Sequence, residues 1–338
     1  MKMPPLKLLA FDIGATKTNA ALFSDRPGAS SARTPHPFSW SCLNVDMAGP
    51  EELIAEGLRS AGTPVDMIVL AMAGPVSQNQ AQLTNRAWFF DKQQIKKRFG
   101  VAELFMINDL EAIALGIPHL QPDQIRSIQN VPPAAQSPIA VIAPGTGLGE
   151  SYLAWSRDRY IAHPSEGGHG DFAPIDDLQI ELLKFLMRQY GHVSYERICS
   201  GFGIYNIYNF LKMQVGMKEP AWLAEKINRE QDPAKSIVTA ANDEARPCDI
   251  SRRAISIFVA VLGSEAGNLA LRTLSRGGVY IGGGIAPHIV PYFTTGQFMT
   301  AFTHKGRMKQ LLETIPVNII LDTKIPLLGA AYYGFNHG

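Results

Sequence analysis

One local pattern occurs twice in this chain, and it sets the fold class. Leu8-Leu9-Ala10-Phe11 runs into Asp12-Ile13-Gly14-Ala15-Thr16-Lys17-Thr18 and then Ala20-Ala21-Leu22-Phe23. Far downstream, Ile139-Ala140-Val141-Ile142-Ala143 runs into Pro144-Gly145-Thr146-Gly147-Leu148-Gly149-Glu150 and then Tyr152-Leu153-Ala154-Trp155. Each copy reads as apolar strand, Gly/Thr turn, strand: a hairpin. A hairpin opening each half predicts a duplicated α/β protein, and the segments that follow alternate strand and helix as that class requires. Residues 68–73 and 104–107 read as buried strands, and 110–117 as a helix. In the second half, 176–190 reads as a helix with acidic residues at its start. Residues 252–273 form the clearest helix, because Ile255, Phe258, Val259, Leu262, Ala266, Leu269 and Ala270 follow the spacing of one helical face. A strand at 278–281, a second at 317–321 and a terminal helix at 327–335 complete the pattern. The Pro-rich stretch 121–138 is the best linker.

Composition narrows the function. At 338 residues and 46% hydrophobic, the chain is long enough for two cored domains. Net charge is +1, which marks no nucleic-acid surface. The uninterrupted apolar runs are too short to span a bilayer, and the first residues lack a signal-peptide pattern. Cys42, Cys199 and Cys248 are odd in number and widely spaced, so they predict neither a disulfide framework nor a zinc set. A cytoplasmic protein is expected, with no nucleic acid and no membrane among its partners.

Three Gly-rich turns are candidates for phosphate contact: 12–18, 145–149 and Gly282-Gly283-Gly284. Glycine lets backbone N–H groups approach phosphate oxygens. None of the turns is a P-loop or a dinucleotide fingerprint, and each alone also reads as an ordinary hairpin turn. Asn108-Asp109 ends an apolar strand, where ligands bind in open α/β sheets. The pair equally suits a helix N-cap, but a cap needs one residue, and two leave a carboxylate over. Facing a sugar hydroxyl, that carboxylate would act as a general base for phosphoryl transfer. Ser165-Glu166-Gly167-Gly168-His169-Gly170-Asp171 sets ionisable residues among glycines. It reads either as a solvated loop or as a polyol site in which Glu166 and His169 meet hydroxyls. Glu196 is either a further acceptor or a surface residue. No His-Glu-x-x-His pattern occurs, and Mg²⁺ is expected to arrive with a nucleotide.

Taken together these motifs resemble the bacterial glucokinase family, within the actin-like sugar kinase and Hsp70 superfamily. The string from Asp12 to Thr18 is similar to its first phosphate motif, and Gly145-Thr146-Gly147-Leu148-Gly149 to its second. Thr84-Asn85-Arg86-Ala87-Trp88 resembles a segment near the sugar, and Asn108-Asp109 the catalytic pair. Glu166-Gly167-Gly168-His169 and the Glu196 segment resemble sugar-binding motifs, and 278–285 the adenosine motif. The resemblance implies a two-domain actin-like ATPase (ribonuclease H-like) fold with duplicated α/β halves and a central cleft. The smaller domain would take 1–119 and 323–338, and the larger 120–322. It implies ATP and Mg²⁺ as cofactors, with the metal near Asp12, and D-glucose as substrate. Asp109 would take the proton of the 6-hydroxyl, and Asn85, Asn108, Glu166, His169 and Glu196 would hold the sugar. A homodimer is implied as well. Four positions depart from the pattern: Ala15 stands where glycine is common, Lys17 where asparagine is common, Pro144 where a small residue is common, and Phe202 where proline is common. Lys17 is shared with the related repressor/open-reading-frame/kinase family, whose cysteine zinc motif is absent here.

Overall fold

The computed structural model describes residues 5–25, 34–77, 79–83 and 87–337. The chain divides into two compact units, one of residues 1–121, 160–164 and 322–338, the other of 122–159 and 165–321. Residues 160–164, expected in the larger domain, group with the first unit.

The first unit is built on a five-stranded sheet ordered β3-β2-β1-β4-β7. Strands β1 (Leu6–Ile13) and β2 (Lys17–Asp25) form the first hairpin, with Asp12 opposite Asn19. β3 (Thr34–Leu43) extends it antiparallel. On the other side β1 runs parallel to β4 (Met67–Met72). A short ribbon, β5 (Gln80–Gln82) with β6 (Phe89–Asp91), precedes β7 (Glu103–Asn108), which lies parallel to β4. Every residue of β4 is buried, as a parallel strand covered on both faces must be. Helices α1 (Pro50–Ala61) and α2 (Lys92–Phe99) lie between these strands, and α3 (Asp109–Gly116) follows β7. Both α1 and α2 stop at a left-handed glycine, Gly62 and Gly100.

The second unit repeats the theme with a six-stranded sheet ordered β11-β10-β9-β12-β13-β8. Here β8 is Ile125–Gln129, β9 Ile139–Pro144, β10 Leu148–Ser156, β11 Arg159–Ser165, β12 Gly278–Ile281 and β13 Val317–Ile320. β9 and β10 form the second hairpin, and β9, β12 and β13 run parallel. The expected linker 121–138 is therefore not purely a linker, because β8 within it pairs antiparallel with β13. Its polar residues, Arg126-Ser127 between isoleucines, hid an edge strand.

Helices α4 (Asp177–Tyr190), α5 (Gly201–Met213), α6 (Ala221–Arg229), α7 (Pro233–Asn242) and α8 (Asp249–Thr273) cover this sheet, followed by α9 (Val290–Phe293), α10 (Gln297–Thr303) and α11 (Lys309–Leu312). α8 is long and apolar enough to cross a membrane, but it is the core helix of this unit and mostly buried. The helical spacing over 252–273 anticipated nearly all of it, although Ser251, Ser264 and Glu265, themselves buried, interrupt its apolar runs. The last helix, α12 (Ile325–His337), belongs to the first unit. Its Leu327, Ala330 and Ala331 close a core with Leu8, Ala10 and Val69.

Candidate active site

In the first unit Asp12 and Asn108-Asp109 stand at the carboxyl ends of two of the three parallel strands, where α/β sheets bind ligands. Asp12 ends β1 beside Ala71 of β4, and Asn108 ends β7 beside Met72. Asn108 caps α3: its Oδ1 accepts from Leu110 N at 2.9 Å, and its Nδ2 donates to Gly74 O at 3.2 Å. The cap reading thus holds for Asn108. Asp109 is the first residue of α3, half-buried, and its Oδ1 also accepts from Leu110 N at 2.9 Å. A carboxylate at that place sits at the positive end of the helix.

The first turn is braced from below. Asn44 is fully buried. Its Oδ1 accepts from the Thr18 hydroxyl at 2.7 Å, its Nδ2 donates to Gly14 O at 2.8 Å, and its backbone N donates to Thr16 O at 2.8 Å. Thr18, a candidate phosphate contact, is therefore turned inward and holds the turn instead. Gly14 N donates across the turn to Lys17 O. Thr16 and Lys17 are exposed, and Ala15 is half-buried. Nothing in the string Leu43-Asn44-Val45 announced this brace. Burial pushes the Asp12 carboxyl up to about 6, against the Asn19 amide that donates to it at 3.1 Å and the Lys17 charge. Asn85 lies outside the described residues.

The second unit brings most of its candidates together. Glu166 and His169 flank a single helical turn, with His169 Nε2 3.8 Å from Glu166 Oε2. The other ring nitrogen, Nδ1, lies 3.9 Å from Glu196 Oε1. Glu196 is two-thirds covered, Glu166 nearly fully exposed, so one acid is fixed and the other faces solvent. The loop carrying His169 is tied to Glu196's segment by Tyr195 N donating to Gly170 O at 3.0 Å.

The second turn packs directly on this group. Glu196 Oε2 accepts from Leu148 N at 3.0 Å. A Cβ on Gly147 would stand 2.4 Å from the same oxygen, and one on Gly168 would stand 2.1 Å from Leu148 O. No side chain fits at Gly168, which faces backbone, and one at Gly147 would displace the Glu196 carboxylate. The third turn abuts the second: Gly282 N donates to Ile142 O, and Gly283, with φ of +78°, leaves no room for a Cβ against Pro144 O. Gly145 N donates to Gly147 O, and Gly201 N at the start of α5 donates to Gly145 O. The amides of Gly145 and Gly282 are thus engaged in shaping the turns, while Thr146 and Gly284 are exposed.

Beneath the Glu166 loop lies a group that the motifs did not mark. Glu150 and Glu265 are both buried, and neither oxygen of Glu150 has a hydrogen-bond donor among the described residues. They are far apart in sequence and look like unremarkable strand and helix residues.

Comparison with known proteins fits this geometry. The family model described as Glucokinase matches residues 9–337. A glucokinase of Nostoc punctiforme is 38% identical over 339 residues, covering 96% of this chain and 97% of the relative. The crystal structure of a glucokinase from an Antarctic psychrotroph superposes with a TM-score of 0.83 at 31% identity, covering 98% of this chain and 99% of the other. A ROK family glucokinase from Streptomyces griseus, crystallised with glucose and AMPPNP, shares the fold at a TM-score of 0.66 and 18% identity, covering 98% and 100%. A match that runs nearly end to end, with an α/β fold to go with it, places this enzyme in the glucokinase family.

Proposed function

We propose that the chain transfers the terminal phosphoryl group of ATP to the 6-hydroxyl of D-glucose, with Asp109 as general base, in the cytoplasm. The observation that carries this reading is the convergence of Glu166, His169 and Glu196 on the glycine turn 145–149. A polyol needs acceptors for vicinal hydroxyls, and a phosphate needs close backbone approach. The second unit presents both side by side. The Streptomyces relative was crystallised with both ligand types.

The first unit supplies the rest. Asp109, at the end of β7, takes the proton as the hydroxyl attacks. Mg²⁺ enters on the ATP phosphates and keeps much of its water. Asp12 suits it: a half-buried carboxyl pushed up by burial is drawn back to its anion by a nearby cation. The matching strand orders, β3-β2-β1-β4-β7 and β11-β10-β9-β12-β13, support duplicated halves of the actin-like type.

A coupled assay with MgATP and a panel of hexoses tests the reading. Glucose is expected to be the best substrate, with mannose and fructose much poorer. N-acetylglucosamine should fail, because Glu166 takes the space near the 2-hydroxyl. Equal rates on N-acetylglucosamine and glucose would defeat the specificity assignment, and no turnover of any hexose would defeat the whole reading.

A further inference from the structure

Glu150 is the residue that follows the turn 145–149, and its side chain points into the protein. It is 1% exposed, and Glu265, on α8, is fully buried. Glu265 is well partnered: Oε1 accepts from Arg272 Nη2 at 2.5 Å, and Oε2 from Asn268 Nδ2 at 2.9 Å. Glu150 is not. Both of its oxygens are buried without a donor among the described residues, and Arg272 Nη1 is 3.8 Å from Oε2, too far for a hydrogen bond. The same Oε2 lies under the sugar loop, at the place a Cβ of Gly167 would occupy, 2.0 Å away. Gly167 N in turn donates to Ser165 Oγ at 3.0 Å.

Two buried carboxylates served by one half-exposed arginine cannot both stay ionised. A single proton resolves the conflict. It removes one negative charge and turns an orphaned acceptor on Glu150 into an O–H that donates to Glu265. We propose that Glu150 and Glu265 share one proton, and that this proton fixes the turn 145–149 and the loop 166–169 relative to each other, making Glu150 a positioning residue for both halves of the second unit's site. The inference rests on the reading of those two segments as phosphate and sugar contacts.

The surroundings are consistent with it. Burial, then the Glu265 charge, push the Glu150 carboxyl up to about 8, with Arg272 opposing. Tyr195 and Cys199, which face the pair from the Glu196 segment, are themselves pushed up, first by burial and then by the Glu265 charge. Lys305 faces α8 from the other side, donating to Ser264 Oγ at 3.0 Å. Burial pulls that ammonium down, while the Glu265 charge holds it up. The protonated, ordered form of Glu150 therefore dominates below about pH 8 and is lost as pH rises through that value. The linkage sign agrees: the folded chain holds a proton that the unfolded chain releases near 4.5, so stability declines across that interval and is lowest above it.

The test compares wild type with Glu150→Gln and Glu265→Gln. Glu150→Gln carries a permanent neutral donor; Glu265→Gln removes the second cause, the neighbouring charge, and leaves the burial in place. For wild type, kcat/KM for both glucose and ATP should fall about tenfold between pH 7 and pH 9, following the protonated fraction. Glu150→Gln should lose that fall, and Glu265→Gln should move it to lower pH. Amide exchange of peptides covering 145–150 and 165–170, corrected for intrinsic pH dependence, should quicken at pH 9 in wild type and not in Glu150→Gln. Superimposable pH profiles and exchange in wild type and both variants overturn the proposal. Should no sugar be phosphorylated at all, the site reading fails, and the exchange data alone decide the shared proton. If one variant does not fold, the other carries the comparison.

Discussion

At the scale of single residues, the proposed site divides into groups assigned to substrate and groups that hold those groups still. Asp109→Asn keeps size and the bond to Leu110 N but removes the proton acceptor. General-base catalysis is typically worth about 10²–10⁴-fold, so kcat should fall by at least that range with the thermal melt little changed. A variant that keeps most of its kcat would reduce Asp109 to the first residue of a helix. Glu166 and Glu196 separate in a different way. Glu166 is exposed and lies near His169, whereas Glu196 also accepts from Leu148 N in the second turn. Glu166→Ala should therefore raise the KM for glucose and leave that for ATP near its original value. Glu196→Ala should raise both, since Leu148 N loses its acceptor at a cost of about 1–3 kcal/mol. Steady-state kinetics with each substrate varied in turn separates the two. Equal selectivity for glucose in both variants would show that the Leu148 bond is inconsequential.

Among elements, the hairpin turns show how far local sequence reaches. Strand, turn and strand at 8–23 and 139–155 are contiguous, so their pattern was legible as β1–β2 and β9–β10. The strand at 278–281 and the core helix through 252–273 were legible for the same reason. What fixes each turn from beneath was not. Asn44 reaches Thr18 from 26 positions away, and Glu150 meets Glu265 only through the packing of α8 on the second sheet. A buried polar side chain carries no periodicity, so it is invisible until the fold supplies its partner. β3, which no apolar run announces, belongs to the same class, because it is defined by pairing with β2. The consequence is measurable at Asn44. Asn44→Ala strands the Thr18 hydroxyl and Gly14 carbonyl, so urea unfolding should show a loss of roughly 2–4 kcal/mol for two orphaned groups. The KM for ATP should rise more than that for glucose, since the brace serves the first phosphate turn. Loss of stability without any change in the ATP KM would make the brace purely structural.

For the whole molecule, the proposed chemistry places Asp109 in one compact unit and the sugar acids in the other. On that proposal, closure on sugar would keep water from competing for ATP. Saturating glucose should lower the radius of gyration in solution scattering, and ATP hydrolysis without sugar should be far slower than sugar phosphorylation. An unchanged scattering profile together with brisk sugar-independent hydrolysis would point to a chaperone-like ATPase instead. The order of the chain adds a constraint on its synthesis. α12 seats Gly329 where a Cβ would stand 1.7 Å from Ala112 O, and Gly334 against Leu8 and Met67. One face of the first unit's sheet thus stays only partly covered, by α3, until the last helix leaves the ribosome, whereas the second unit is complete by residue 321. At about 5–20 residues per second, the interval between residues 121 and 325 lasts on the order of 10–40 s. During that time Leu8, Ala10 and Val69 lack the cover of α12, so the nascent N-terminal sheet is a natural client for chaperones, and the unit that starts first is the one that finishes last.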